Sequence, residues 1–333
     1  MSLPHQRWHF QHGPIDLIIS AEGDPLAVAD AHERAWRRFV PLLDELVAEL
    51  PLLKRAIRAG DHVNPCSGET AALMWEACRA MVDDESVFIT PMAAVAGAVA
   101  QTIARVYASA GSSVTKATIN NGGDIALVLN GDAVTRIGVV GNTDAVSMRD
   151  AQIHVASNAE IVICGHDAVR GIATSGWRGR SFSLGIADSV TTLARTAAMA
   201  DAAATVIANA VTVDDARIVR RRASELKDGS DLGDILVTTH VPALPAAQVE
   251  MAIANGLNRA QSLVQNGRVD AVLIQVQGQW AVLNEAWFSG LPTRGKLRMN
   301  PLVSRKTADT AALSLGTLVA TRLRAHPFTE VHH

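Results

Sequence analysis

Apolar positions fall first into a β-like run, PIDLIIS at residues 14–20, and then into helical spacing from Asp24 to Arg58. In the second stretch Ala35, Phe39, Leu42, Leu43, Leu46 and Leu50 recur every one to four residues along a helical face. Pro41 and Pro51 are expected to break it, because proline lacks the helical N–H and clashes with the preceding turn. Turn chemistry at Asn64-Pro65-Cys66-Ser67-Gly68 precedes a short helix over Glu69 to Val82, marked by Ala72, Leu73, Ala77, Cys78 and Met81. Pro91 to Ala110 steps through Val95, Val99, Ile103 and Val106, which predicts a buried helix whose alanines and glycines allow close contact.

Downstream the period changes. KATINNGGDIALVLNG at 116–131 reads as two strands around a Gly-Gly turn, and Asn130-Gly131 supplies a further hairpin signal before a strand near Arg136 to Val140. With strands expected at Ala151 to Ala156 and Glu160 to Cys164, this region predicts an antiparallel meander, followed by the glycine-containing segment GIATSGWRGRSFSLG. Asp188 stands where it could cap a long alanine-rich helix ending near Val211. A charged connector, VDDARIVRRRASELKDGSDLGD, leads to a strand at Ile235 to Thr239, a helix at Ala246 to Val264, a strand pair across Gln277-Gly278, and a helix-like tail, TADTAALSLGTLVATRLR. The expectation is one domain over 1–333, with a motif-rich core at 86–213 and a C-terminal βαββ lobe at 234–330.

Composition narrows the function classes. Of 333 residues 48% are hydrophobic and 4% aromatic, so a large core must be filled by small aliphatic side chains that let backbones approach closely. A net charge of −3 supplies no basic field for nucleic acid or an anionic membrane. Val87 to Ala100 is interrupted by Thr90 and Pro91 and is too short to span a bilayer, and MSLPHQRWHFQHGPIDLIIS lacks a basic region followed by a long apolar stretch. A cytoplasmic, homo-oligomeric protein with a small-molecule ligand is the expectation. Cys66, Cys78 and Cys164, odd in number and without CxxC spacing, read as reduced thiols.

Several constellations could carry chemistry. Asp201 and Thr205 lie four apart on one helical face among alanines, an oxygen-only pair suited to Mg²⁺; alternatively Asp201 accepts a buried backbone N–H and Thr205 bonds within its helix. Asn121, Gly122, Gly123 and Asp124 sit between strands, where the glycines serve either a plain tight turn or an anion-binding turn. No GxxxxGK[ST] or GxGxxG is present, and Thr174-Ser175-Gly176 lacks the flanking glycines of a serine-hydrolase elbow. His5, His9 and His12 cluster, either as metal ligands or on a frayed terminus, and the frayed terminus is the expectation. Arg217, Arg220, Arg221 and Arg222, beside Asp214, Asp215 and Glu225, read either as a phosphate clamp or as a solvated face.

Taken in order, PMAAVAGAVA (91–100), INNGGDIAL (119–127), GIATSG (171–176) and ADAAATVIANAV (200–211) resemble the ApbE family of FAD:protein FMN transferases, and more nearly its small prokaryotic relatives. The likeness covers about residues 86–213. It implies a mixed α/β (α+β), T-fold-like architecture of antiparallel sheets with packed helices, not a Rossmann sheet. It also implies Mg²⁺ on Asp201 and Thr205, and FAD near Asn121, Gly122, Gly123 and Asp124 and near Thr174, Ser175 and Gly176. In that chemistry a protein threonine takes FMN and AMP leaves. The family's lysine- and tyrosine-containing A-K-G-Y-A-V-D segment is replaced by AAVAGAVAQ, its H-I-I-D-P segment is absent, and Arg180 stands where close relatives often carry histidine. The expected function is therefore an ApbE-like, Mg²⁺-dependent enzyme acting on FAD or a related pyrophosphate compound, with an acceptor protein if it is a transferase. Alternatives are another reaction on the same fold, such as cyclic amide or ester hydrolysis with Arg180 gripping an oxyanion, and a non-catalytic flavin-binding protein.

Overall fold

The computed structural model describes residues 7–139, 146–149, 152–155, 159–292 and 295–297. Its frame is an eight-stranded antiparallel sheet of strands β1 (Arg7–His12), β2 (Ile15–Gly23), β3 (Val114–Asn121), β4 (Asp124–Leu129), β9 (Gly171–Ser175), β10 (Ser189–Ala194), β13 (Ala271–Val276) and β14 (Gln279–Leu283), in that spatial order. A second sheet is built from β5 (Val134–Val139), β8 (Ala159–Cys164) and the two-residue β15 (Phe288–Ser289). The strands β6 (Val146–Arg149) and β7 (Gln152–Val155) pair with each other, as do β11 (Val219–Arg222) and β12 (Leu236–His240).

Side chains alternate across a strand, and here both faces find cover. From β4, Ala126 and Val128 join a large core with the helices α1 (Pro25–Phe39), α2 (Leu42–Ala48), α3 (Leu50–Leu53), α4 (Glu69–Arg79), α5 (Val95–Ala108), α6 (Ala197–Ala210) and α8 (Ala246–Gln265), while Ile125, Leu127 and Leu129 join a second core under β5 and β8. This double burial explains why DIALVL reads as an unbroken apolar run rather than an alternating one. A single turn, α7 (Ala223–Leu226), follows β11.

The break at Pro41 holds, and Pro51 occupies the first turn of α3, where a missing N–H costs nothing. Three expectations need correction. Asp188 caps no helix: residues 189–194 form β10, all six buried, and the helix begins at Ala197 with Thr196 as its cap, accepting the Met199 N–H at 3.3 Å. SVTTLA is β-branched and covered on both faces, so its alanine-rich neighbour lent it a helical look. The meander also fails beyond β4: β5 leaves the main sheet to pair with β8, and β4 pairs with β9 instead. His9 and His12 lie on the edge strand β1, with His9 bonded to Asp16 at 2.7 Å, so that stretch is not a frayed terminus. His5 and the helix-like tail fall outside the described residues.

Candidate functional site

Helices α5 and α6 meet near their N-termini, and their small residues make this possible. A Cβ on Gly97 would lie 2.3 Å from the Ala197 carbonyl oxygen and 2.9 Å from the Asp201 Cβ. At that crossing each helix satisfies the other's first turn. The Gly97 N–H donates to Asp201 Oδ2 at 2.9 Å, with the Ala96 N–H also facing that carboxylate, and the Ala198 N–H donates to Gln101 Oε1 at 3.2 Å. The first-turn N–H groups of a helix have no internal partner, and the dipoles there favour negative charge, so the N-terminus of α5 is served by the Asp201 carboxylate. The backbone-acceptor reading of Asp201 is thus present in the structure. Thr205 lies one turn further along α6, half-buried.

The β3–β4 hairpin brings the second carboxylate. Gly122 and Gly123, at φ +66° and +114°, form its two-residue turn, a backbone that side chains rarely adopt. Asn120 Oδ1 accepts the Gly123 N–H at 2.8 Å, so that donor is already engaged, and the buried Asn121 amide donates to the Ala96 carbonyl at 3.1 Å, tying the hairpin to the start of α5. Asp124 Oδ1 accepts the Thr174 N–H at 3.3 Å from β9, and the Thr174 hydroxyl meets that of Thr191 on β10 at 2.9 Å. Ser175 is half-buried, and Gly176 is pressed against the Asp188 carbonyl, 2.4 Å from where its Cβ would stand.

Arg180, on the loop after β9, lays its guanidinium on this turn: Nη2 is 1.5 Å from the position a Gly122 Cβ would take. The structure therefore gathers Asn121, Gly122, Gly123, Asp124, Thr174, Arg180 and Asp201. The AAVAGAVAQ segment forms the start of α5 and supplies backbone N–H groups here. Gly97 and Gln101 were missed as parts of the site; a single glycine and a glutamine in the apolar first half of the helix were their only signal.

Electrostatics link the two carboxyls. Burial, and then the charge of Asp124, push Asp201 well above the usual carboxylate range, against the pull of the Gly97 and Ala96 N–H groups. Burial pushes Asp124 up to about 7, offset partly by the Thr174 N–H and the Arg180 charge. Unfolded, both carboxyls titrate near 4. Between about pH 4 and pH 7 the folded chain then holds more protons than the unfolded one, so metal-free stability falls as pH rises through this window. Asp124→Asn is expected to flatten that fall and raise the metal-free Tm at pH 7.5 by about 2–4 °C. A lowered Tm in differential scanning calorimetry would show instead that the two carboxyls do not oppose each other.

A hard divalent cation fits this donor set. Two desolvated carboxyls whose charges oppose each other are relieved by a cation, and Mg²⁺ typically takes one or two carboxylates, leaving other positions to water and phosphate. Among the described residues no three His, Cys, Asp or Glu side chains converge, so protein carboxylates alone would not complete a shell. The Cys66 and Cys78 thiols are unsuited to nucleophilic work. Burial and then Glu49 push Cys66 up to about 11, and burial holds Cys78 well above the usual thiol range. Three arginines of the charged run are engaged locally, with Arg217 on Asp215 at 2.6 Å, Arg221 near Glu225 at 3.6 Å, and Arg220 on the Thr212 hydroxyl at 3.0 Å.

A sequence model of the family described as AbpE bacteria matches residues 1–282. The chain belongs to this family. The match agrees with the ApbE resemblance of the four motifs and with a mixed α/β fold on antiparallel sheets. This AbpE-family chain is also 36% identical over 173 residues to a UPF0280 protein of Methanoregula boonei, covering 50% of this chain and 68% of that one. It is 34% identical over 220 residues to a UPF0280 protein of Methanopyrus kandleri, covering 63% and 80%. With a UPF0280 protein of Methanospirillum hungatei the identity is 36% over 138 residues, and the match spans 52%, about half, of that relative's length. Similar solved structures include the flavinyl transferase ApbE of Pseudomonas stutzeri, at 11% identity and TM-score 0.42 over 88% of this chain and 100% of that one. The ApbE protein of Thermotoga maritima gives 13% and 0.41 over 81% and 94%. Among the described residues no helix of this AbpE-family protein is long and apolar enough to cross a membrane.

Proposed function

We propose that this protein is an ApbE-like enzyme acting on a flavin dinucleotide, or another small molecule with a pyrophosphate, with a divalent cation, Mg²⁺ as the first choice, held at Asp201 and Asp124. The observation that carries the reading is the Asp201 carboxyl held on the first-turn N–H groups of α5, with the hairpin carboxyl of Asp124 near enough for its charge to act on it and the Arg180 guanidinium lying on the adjoining Gly122. Positive and negative ligand groups are accommodated side by side in such a place, which is what a metal–pyrophosphate unit requires.

Asp201 and Asp124 would hold the cation, with the Thr205 hydroxyl within the same helical face. When bound, the metal would act as a Lewis acid on the pyrophosphate oxygens. Asp201 is kept in position by the Gly97 N–H, and Asp124 by the Thr174 N–H, so both carboxylates are oriented before a ligand arrives. Arg180 supplies a forked donor for phosphate oxygens. A guanidinium has donors only and no acceptor, so it takes no part as a general base. The N-terminus of α5 would favour the negative charge that develops as the phosphoanhydride bond breaks. The finer reading is transfer of the FMN moiety to a threonine of an acceptor protein with release of AMP. The test is isothermal titration with FAD, with and without Mg²⁺, followed by chromatography of the mixture for AMP. Metal-dependent binding is expected; FAD binding that ignores Mg²⁺ and chelator alike would count against the proposal, and AMP formed only with an acceptor would mark the transferase.

A further inference from the structure

Arg180 is placed unlike the other arginine of its loop. Its neighbour Arg178 is paired with Asp188 at 3.3 Å and lies 5.1 Å from the Trp177 ring. Arg180 is exposed, rests on the bare backbone of Gly122, and makes no hydrogen bond or close ion pair with another described residue. Only its charge engages the site, through Asp124. The base of the loop is firmly tied: the Leu184 N–H donates to Asn209 Oδ1 at 2.9 Å, the Ser183 carbonyl accepts the Thr238 N–H at 2.8 Å, and the Gly179 N–H reaches the Gly176 carbonyl at 3.1 Å. A long cationic side chain thus stands on a fixed base with an uncommitted head.

We propose that Arg180 is the resident counter-charge of the Asp124–Asp201 patch, and that it gives up this place to a divalent cation and turns its guanidinium to the anionic part of the ligand. The inference rests on reading the two carboxylates as a cation site. A guanidinium and a divalent ion repel each other at this range, so Arg180 weakens metal binding while the anion is absent. Once a diphosphate arrives, its negative charge lies between the two cations and turns the repulsion into two attractions. Cation and anion therefore assist each other, and by linkage the assistance is reciprocal. Gly122 is required for this, because any side chain there would occupy the guanidinium's position.

The test measures each ion without the other, since pyrophosphate chelates metals in solution. Binding of Mn²⁺ is followed by the electron paramagnetic resonance of the free ion, and binding of inorganic pyrophosphate by calorimetry in the presence of a chelator. Arg180→Gln is expected to tighten Mn²⁺ by about fivefold or more and to weaken pyrophosphate by about tenfold. Arg180→Lys, which keeps the charge, should return Mn²⁺ affinity to the native value. Opposite shifts in the Gln variant support the proposal. Equal affinities, or weakening of both ions, overturn it while leaving the cation site standing. Native protein that binds no Mn²⁺ overturns the cation site and this inference together.

Discussion

Asp201→Asn should fold as the native chain does and lose about 100-fold or more in Mg²⁺ affinity, with metal-dependent FAD binding lost alongside. The amide oxygen of asparagine can still accept the Gly97 N–H, so the crossing of α5 and α6 keeps its hydrogen bond while one of two cation-holding carboxylates is gone. Even groups behind the metal ligands typically cost ten- to a hundredfold when removed, which sets about 100-fold as the floor for a ligand itself. Asp201→Ala should add a folding defect of about 1–3 kcal/mol, because the Gly97 N–H then loses its acceptor in a buried place. Calorimetric Mg²⁺ titration and urea unfolding of both variants separate the two roles. If the asparagine variant binds Mg²⁺ like the native protein, Asp201 is a helix-capping residue only.

Gly97→Val should be the most damaging single change near the site for stability. Its Cβ would stand 2.3 Å from the Ala197 carbonyl oxygen, and backbone cannot swing aside as a long side chain can. The helices must separate, at a cost of about 3 kcal/mol or more for overpacking at a buried contact. Because Asp201 is held by this same crossing, metal affinity in any folded fraction should fall as well. Gly97→Ala should show the same defect in smaller measure. Gly60, with nothing within 4 Å of its Cβ position, is the control: Gly60→Ala should be neutral or slightly stabilising. Urea midpoints of the three variants decide the matter; a Gly97→Val protein as stable as the native one would mean that the helices can cross without the glycine.

Much of this was legible in the sequence where the signal is local. The period of Val95, Val99, Ile103 and Val106 marks α5, alanine density marks α6, and Gly122-Gly123 between β-rich runs marks the hairpin. Four ordered motifs marked the family, and their residues do converge on one place. What escaped is non-local. SVTTLA is buried on both faces of a central strand, so periodicity carries no information there, and only its pairing with β9 and β13 defines it. Nothing in the spacing of Asp124 and Asp201 places them together; that depends on the hairpin being tied through Asn121 to the start of α5. The Gly123 N–H, a candidate anion donor by composition, is spent on Asn120, and Arg180 comes to lie over the turn only through the strand order.

The most direct test of the central claim is a crystal structure of the protein with Mn²⁺ and FAD, with the metal located by its anomalous scattering. A metal peak is expected within coordination distance of both Asp124 and Asp201, with the ligand's pyrophosphate on its far side and the Arg180 guanidinium moved from Gly122 onto a phosphate oxygen. A metal bound elsewhere, or a pyrophosphate seated away from these three residues, would contradict it.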